Sequence, residues 1–333
     1  MKNYFVGIDI SKDTLDVCVM SENDEKEIFF KVENSVEGVE KMISTNVRKD
    51  SQLRYCFENT GNYGLLLAKI LENHNLPYYQ IPALEIKLSQ GIQRGKNDKV
   101  DSWRIARYAK VHCNELKLHA LPEKEILMIK NLLTYRNHLI KIRTQFKNEK
   151  QSFHQINKIA DVSYQIDEIA EHIKRLDNNI DLVEKRIQQE IDKQQQISTN
   201  YKKITKVKGV GMLTAAYMIV LTNNFTAFQN PRKFNCYAGL APFEHSSGTS
   251  IKGKTKTSKL RNKRIKTVLF NGANSAVIYD EELKSYYKRK KEEGKAHNSI
   301  INAVCCKLVY RMFAVIKREE PFVNLVRYNL HMS

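Results

Sequence analysis

The sequence predicts a mixed-sheet α/β domain followed by an all-α remainder, and three observations predict it. Three short runs rich in β-branched and aromatic residues open the chain. Helix and strand patterns then alternate as far as residue 113. From Pro122 the hydrophobic period is helical. In order, YFVGIDI (4–10), TLDVCVM (14–20) and KEIFFKVE (26–33) read as successive strands, antiparallel because only short polar connections separate them. A helical stretch near 36–46 precedes a fourth strand, LRYCFE (53–58), and an apolar-periodic helix spans about 62–74. PYYQI (77–81) is a fifth strand, and 98–113 a closing helix. Strands followed by alternating helix and strand make the sheet mixed.

Between Pro122 and about Ile197, Ile166, Ile169, Ile173, Leu176, Ile180, Val183 and Ile187 recur at alternating spacings of three and four. These are the a and d positions of a coiled-coil seam. The seam fits a partner chain or residues 123–153 of the same chain equally well, so the region is a spacer or an oligomerisation arm. The expected divisions are 1–115, 120–200 and 201–325.

With 333 residues, 42% of them hydrophobic, and a net charge of +18, the chain is a folded and strongly basic protein. Such a balance favours a polyanionic partner through counterion release. No apolar run of about 18 residues stands out as a membrane span, and the N-terminus shows no signal-peptide pattern. Cys18, Cys56, Cys113, Cys236, Cys305 and Cys306 have no CxxC spacing, so neither a zinc ribbon nor a disulfide framework is expected. A reducing cytoplasm is the corresponding location.

QRGKNDKVDSWRIARYAK (93–110) sets Asp98 and Asp101 three apart among six Lys and Arg residues. On a helix both carboxylates share one side, which by itself also describes an ordinary solvated surface. Two further acids bear on the choice. Asp9 lies in the first strand after Gly7, and Glu58 ends the fourth. A strand-end carboxylate is expensive unless paired or bound to metal. If strands one and four are neighbours and the late helix crosses them, Asp9, Glu58, Asp98 and Asp101 form a set of hard oxygen donors. Such a set suits one or two Mg²⁺ ions, with Mn²⁺ also compatible, handling phosphate oxygens.

In the last region KVKGVGMLTAAYMIV (206–220) places two glycines before an apolar helix, either a helix–hairpin–helix turn that approaches phosphate or a plain helix–helix turn. Further on, Lys252, Lys254, Lys256, Lys259, Arg261, Lys263, Arg264 and Lys266 fall within fifteen residues, with no acid between Glu244 and Asp280. A one-signed run of this density points to nucleic-acid backbone contact.

Taken together, VGIDISKDTLDV, FENTGNYG, KNDKVDSWRIARY and YAGLAPFEHSSGTSIKGKTKTSKLR resemble the DEDD-type transposases of the insertion sequence 110 family, RNA-guided recombinases related to Piv-type DNA invertases. The resemblance covers almost the whole chain. It implies a RuvC-like, RNase H-fold N-terminal domain, a coiled-coil middle and a mainly helical C-terminal transposase domain. It implies that Asp9, Glu58, Asp98 and Asp101 are the metal-coordinating acids. It also implies a nucleophilic serine in the Ser-Gly element after the GLAP segment, here Ser247, with Ser246 as the alternative register. Ser-Ser-Gly on its own reads as a turn. His245 reads as an acid or base, or as a structural residue. Two departures are small: Asn97 stands where the family often has Thr, and the loop after the serine is Lys-rich. The resemblance further implies DNA element ends and target as partners, a structured guide RNA, dimers or dimers of dimers, and a bacterial, nucleoid-associated protein. The competing readings are a metal-dependent junction nuclease without a serine nucleophile and a non-enzymatic nucleic-acid-binding protein.

Overall fold

The computed structural model describes residues 2–23, 27–46, 51–59, 61–89, 98–228, 230–247, 251–257 and 262–318, with side chains except at 2, 46, 98, 243–247 and 251–256. Two compact units divide at Leu121/Pro122.

The first unit is built on a five-stranded sheet. Its strands are β1 (Lys2–Ile10), β2 (Thr14–Ser21), β3 (Ile28–Glu33), β4 (Ser51–Glu58) and β5 (Tyr78–Ile81), in the order β3-β2-β1-β4-β5. β1, β2 and β3 run antiparallel, while β4 lies parallel to β1 and β5 parallel to β4. The helices are α1 (Val36–Asn46), α2 (Leu65–Asn73), α3 (Ala83–Ser89) and α4 (Asp98–Val111). α3 was not anticipated; it is a single short helix with one buried residue, Ile86, too brief to show a period.

Alternation along the strands divides the sheet into two faces. Val6, Ile8, Leu15, Val17, Tyr55 and Phe57 pack with Val39 and Met42 of α1 and Leu67 and Leu71 of α2. The opposite face carries Phe5, Cys56 and Ile81 against Ile105 and Ala109 of α4, with Cys18 and Met20 against Ala106. Gly7 sets how close α4 can come. A Cβ there would sit 2.3 Å from both the Ser102 carbonyl oxygen and the Ala106 amide nitrogen. Only glycine under the small residues Ser102 and Ala106 admits that approach. At the far end of α4 the Lys110 ammonium donates to the Ser21 carbonyl at 2.9 Å. Ser21 pairs with Tyr4 near the start of β1, so the first turn of α4 lies at the C-terminal end of β1.

The second unit opens with α5 (Lys124–Ile156) and α6 (Ser163–Lys193), joined by a turn, so helix is not continuous through this region. The heptad seam on α6 packs against α5 of the same chain. Arg136 pairs with Glu184 at 2.6 Å, Arg143 with Asp177 at 2.5 Å, and the Phe146 and His172 rings stack 5.3 Å apart. Then come α7 (Gln195–Thr205), α8 (Met212–Leu221), α9 (Pro231–Tyr237), a hairpin of β6 (Pro242–Ser247) and β7 (Ile251–Thr257), α10 (Lys263–Tyr279), α11 (Glu281–Glu292) and α12 (His297–Lys317). One apolar core joins the base of the α5–α6 hairpin (Ile129, Leu133, Ile187) to Ala215, Leu269 and Leu308 of the later helices.

The absence of a long apolar run, expected from the sequence, needs correction. α12 is 21 residues long and contains an 18-residue stretch with a mean hydropathy of 1.6, enough by length and composition to cross a bilayer. Its apolar residues Ile301, Val304, Leu308, Val309, Met312 and Phe313 instead build this core.

Candidate active site

Two strand ends and one helix start converge on the α4 face of the first sheet. β1 and β4 pair in parallel through Ile8↔Phe57, and one step further along the two strands lie Asp9 and Glu58. Both share a face with Gly7 and Cys56, since alternate residues of a strand point the same way. Functional groups of open α/β sheets gather at such carboxyl ends of parallel strands. Ser102 lies over Gly7. One helical turn back from Ser102 is Asp98, and two strand residues on from Gly7 is Asp9; the two steps are of similar length, about 6 Å. Asp98 therefore starts α4 level with Asp9. The positive end of the helix favours carboxylates there.

Asp101 lies on the Ile105 and Tyr108 side of α4, the side packed towards β4 and β5. Its carboxylate accepts from Arg104 at 2.8 Å, with the two side chains 24% and 14% exposed. The Asp98 side chain lies outside the described set. Among the described residues no three His, Cys, Asp or Glu side chains gather as a metal cage.

Sequence reasoning passed over a fifth acid. Asp16 stands directly across from Asp9 in the β1–β2 ladder, where like charges repel. Lys31, Asp16's own cross-strand partner on β3, bonds it at 3.0 Å and offsets that repulsion. Counting the hairpin register outward from the turn at 11–13 would have shown the pair. Arg104 was equally legible, at i+3 from Asp101.

In the second unit, Ser247 is the last residue of β6 and pairs with Ile251, and Ser246 pairs with Lys252. The two serines are thus the last residues of a strand; the side chains of His245, Ser246 and Ser247, and all of Gly248, lie outside the description. The segment feeding β6 is held firmly. Gly239 adopts φ +67°, its carbonyl accepts from the Lys266 ammonium at 2.8 Å, and the Leu240 carbonyl accepts from Asn302 at 2.8 Å.

The basic run divides accordingly. Lys252, Lys254 and Lys256 occupy alternate positions of β7 with side chains outside the description, and Lys259 and Arg261 lie outside the described residues altogether. Lys263 is exposed. Arg264 donates to the Tyr217 hydroxyl at 3.3 Å and to Asn137. Lys266 donates to the Gly239 carbonyl, so both of these cations also make contacts within the chain. In the glycine turn of 206–211, Gly209 (φ +88°) packs so tightly on α10 that a Cβ would lie 2.6 Å from the Gly272 carbonyl oxygen, whereas a Cβ on Gly211 would meet nothing within 4 Å.

A transposase family model matches residues 6–155, and a model described as the transposase IS116/IS110/IS902 family matches 201–288. The pilin gene-inverting proteins of Moraxella bovis and Moraxella lacunata are each 28% identical over 341 aligned residues, covering 97% of this chain and 98% of theirs. An insertion element IS110 protein of 43.6 kDa from Streptomyces coelicolor is 32% identical over 114 residues, 34% of this chain and 28% of that protein. The first matched domain is of the DEDD, RuvC-like kind, in agreement with the mixed sheet, and it points to dependence on a divalent metal ion. The chain belongs to the IS116/IS110/IS902 family of transposases, and it is a DNA recombinase enzyme.

Proposed function

We propose that this transposase excises and inserts its own mobile element through a transient phosphoserine link at Ser247, with Asp9, Glu58, Asp98 and Asp101 forming a divalent-metal site. The observation that carries the metal site is the parallel register of β1 and β4, which sets Asp9 and Glu58 side by side where α4 begins with Asp98. A set of hard carboxylate oxygens suits Mg²⁺, and Mn²⁺ by the same donor chemistry. A metal ion bound there would neutralise charge on the non-bridging phosphate oxygens and ease deprotonation of an attacking hydroxyl.

The chain's own residues carry the rest. The Ser247 hydroxyl adds to phosphorus and gives up its proton, and the bond to one deoxyribose oxygen breaks, that oxygen leaving with a proton. A hydroxyl of the second strand later displaces the serine and restores it. Lys252, Lys254, Lys256 and Lys263 hold phosphates near β6 and β7. The net charge of +18 accommodates a structured guide RNA beside DNA, and pairing of that RNA with element ends and target supplies the sequence choice. Assembly as dimers of dimers brings the metal site of one protomer to the serine of another. The division of labour follows 1–115, 120–200 and 201–325.

Trapping of cleaved DNA on the protein tests this reading. The wild type forms a covalent adduct on serine. Ser247→Ala binds DNA but forms none, and Ser246→Ala is mild by comparison. Recombination at normal rates with both serines replaced would leave a metal-dependent nuclease as the better description. Loss with Ser246→Ala alone would move the nucleophile by one residue. RNA encoded by the element should co-purify with the chain, and ribonuclease treatment should end recombination.

A further inference from the structure

Beside the residues of α4 that are fully buried on the sheet run two adjacent rows of side chains, Trp103–Arg107–Val111 and Arg104–Tyr108–His112, each at helical spacing of four; Trp103 and Tyr108 rest partly on the sheet's core. They line a pocket of about 220 Å³ closed on one side by Ser89. Its lining is unlike a solvated helix face. The Arg107 guanidinium lies 5.0 Å from the centre of the Trp103 ring, and the Tyr108 and His112 rings stack at 4.5 Å. The Trp103 indole N–H donates to Glu27, and the Tyr108 hydroxyl donates to Glu85 at 3.0 Å. Burial and Glu85 together raise the Tyr108 hydroxyl to about 12, so it stays a neutral donor committed to that carboxylate. Both polar handles are turned away, and His112 Nδ1 lies 3.2 Å from a Glu115 carboxylate oxygen, so the pocket offers a ligand aromatic surface and the Arg107 guanidinium. Among the described lining residues there is no carboxylate. Arg104 ties the pocket to the acids, because the same guanidinium holds Asp101.

We propose that this face binds an unpaired strand of nucleic acid, with bases against the Trp103 and Tyr108–His112 rings and a phosphate on the exposed Arg107. Stacking platforms alternating with guanidinium groups are the chemistry that retains single strands. A duplex keeps its bases stacked on each other and offers this face only phosphates. The pocket is also smaller than the ~300 Å³ at which whole-ligand sites begin, in keeping with one planar group at a time. The inference deepens the proposed function and rests on it only for the strand's identity as the DNA that passes the carboxylates.

Trp103 is the chain's single tryptophan, so emission from the full-length protein reports on this pocket alone. Titration without divalent metal uses a short oligothymidylate and a blunt duplex of equal length. The single strand should quench Trp103 saturably, and the duplex should bind without comparable quenching. Arg107→Ala and His112→Ala should each weaken the single-strand response roughly tenfold, within the range of one lost base stack. Tyr108→Phe, which keeps the ring, should leave it unchanged. Circular dichroism matching the wild type makes a weakened variant interpretable. Unaltered emission while a labelled oligonucleotide binds by anisotropy would overturn the assignment. So would equal quenching by duplex, or full affinity in the Arg107→Ala/His112→Ala double variant. Ser247→Ala should give the wild-type titration, so failure of the serine mechanism and failure of this pocket are read separately.

Discussion

Asp9 has two acidic neighbours of different kinds. Glu58 lies beside it on a parallel strand, and Asp16 lies across an antiparallel one with a lysine of its own. That difference sorts them functionally. Asp9→Ala, Glu58→Ala, Asp98→Ala and Asp101→Ala should each depress recombination by more than the roughly 100-fold that losing an outer-shell partner of a metal ligand costs, with secondary structure retained. Asp16→Asn should fall short of that, because Lys31 already holds its charge. A plasmid recombination assay with circular dichroism as the folding control decides it, and full activity from any two of the four alanine variants would remove the metal site.

His119 gives a pH signature in the same unit. Burial lowers its pKa below the usual imidazole value, against a smaller opposing pull from Glu72. Its ring meets the edge of Tyr78, and its backbone amide donates to the Tyr78 carbonyl at 3.0 Å. The unfolded chain therefore takes up the proton first as pH falls. The stabilisation is complete above the ordinary value of about 6.5 and is lost as pH drops through the lowered folded value. Urea unfolding followed by Trp103 emission should show a lower midpoint at acidic pH, and His119→Phe should narrow the gap.

At the scale of the element, α4 is placed by what it lacks. Ser102, Ala106 and Ala109 are fully buried and small, and Gly7 beneath them has no side chain. Gly7→Ala would drive a methyl group into the helix backbone. Overpacking of this kind costs about 1–3 kcal/mol, and relief by lifting α4 carries Asp98 and Asp101 away from Asp9. The expected outcome is a protein that still folds, with a lowered urea midpoint and a far larger loss of strand cleavage than of stability. Equal losses in both would mean that α4 position and chemistry are uncoupled. The α5–α6 hairpin makes a related point. Its seam is satisfied inside the chain by two ion pairs and a ring stack, and Ile129 and Ile187 are fully buried in the core they share with the C-terminal helices.

For the whole molecule, the charge of +18 predicts steep salt dependence, and the structure indicates which charges to remove. Arg264 and Lys266 are engaged by Tyr217, Asn137 and the Gly239 carbonyl, so replacing them would disturb packing along with charge. Neutralising Lys252, Lys254, Lys256 and Lys263 to Gln should flatten the plot of log K against log salt by up to about 3–4 units if all four touch duplex phosphates. Binding isotherms at several salt concentrations measure this, and an unchanged slope would make the run a solvated face.

The amino-acid sequence by itself determined the strand and helix order, the mixed sheet, and Asp9 and Glu58 as strand-borne acids, because hydrophobic period and β-propensity are local properties of the chain. Its resemblance to a transposase family came from short motifs that keep their residues. Only the tertiary structure decided what depends on partners far apart in the chain. Register placed Asp16 opposite Asp9, and a heptad seam cannot say whose helix it meets until α5 folds back on α6. The hydrogen bond from Lys266 to the Gly239 carbonyl, 27 residues away, is likewise set by the fold. An apolar 21-residue helix became a core rather than a span, because other apolar faces were there to cover it. Period and composition describe a segment; which surface it buries is a property of the elements that close around it.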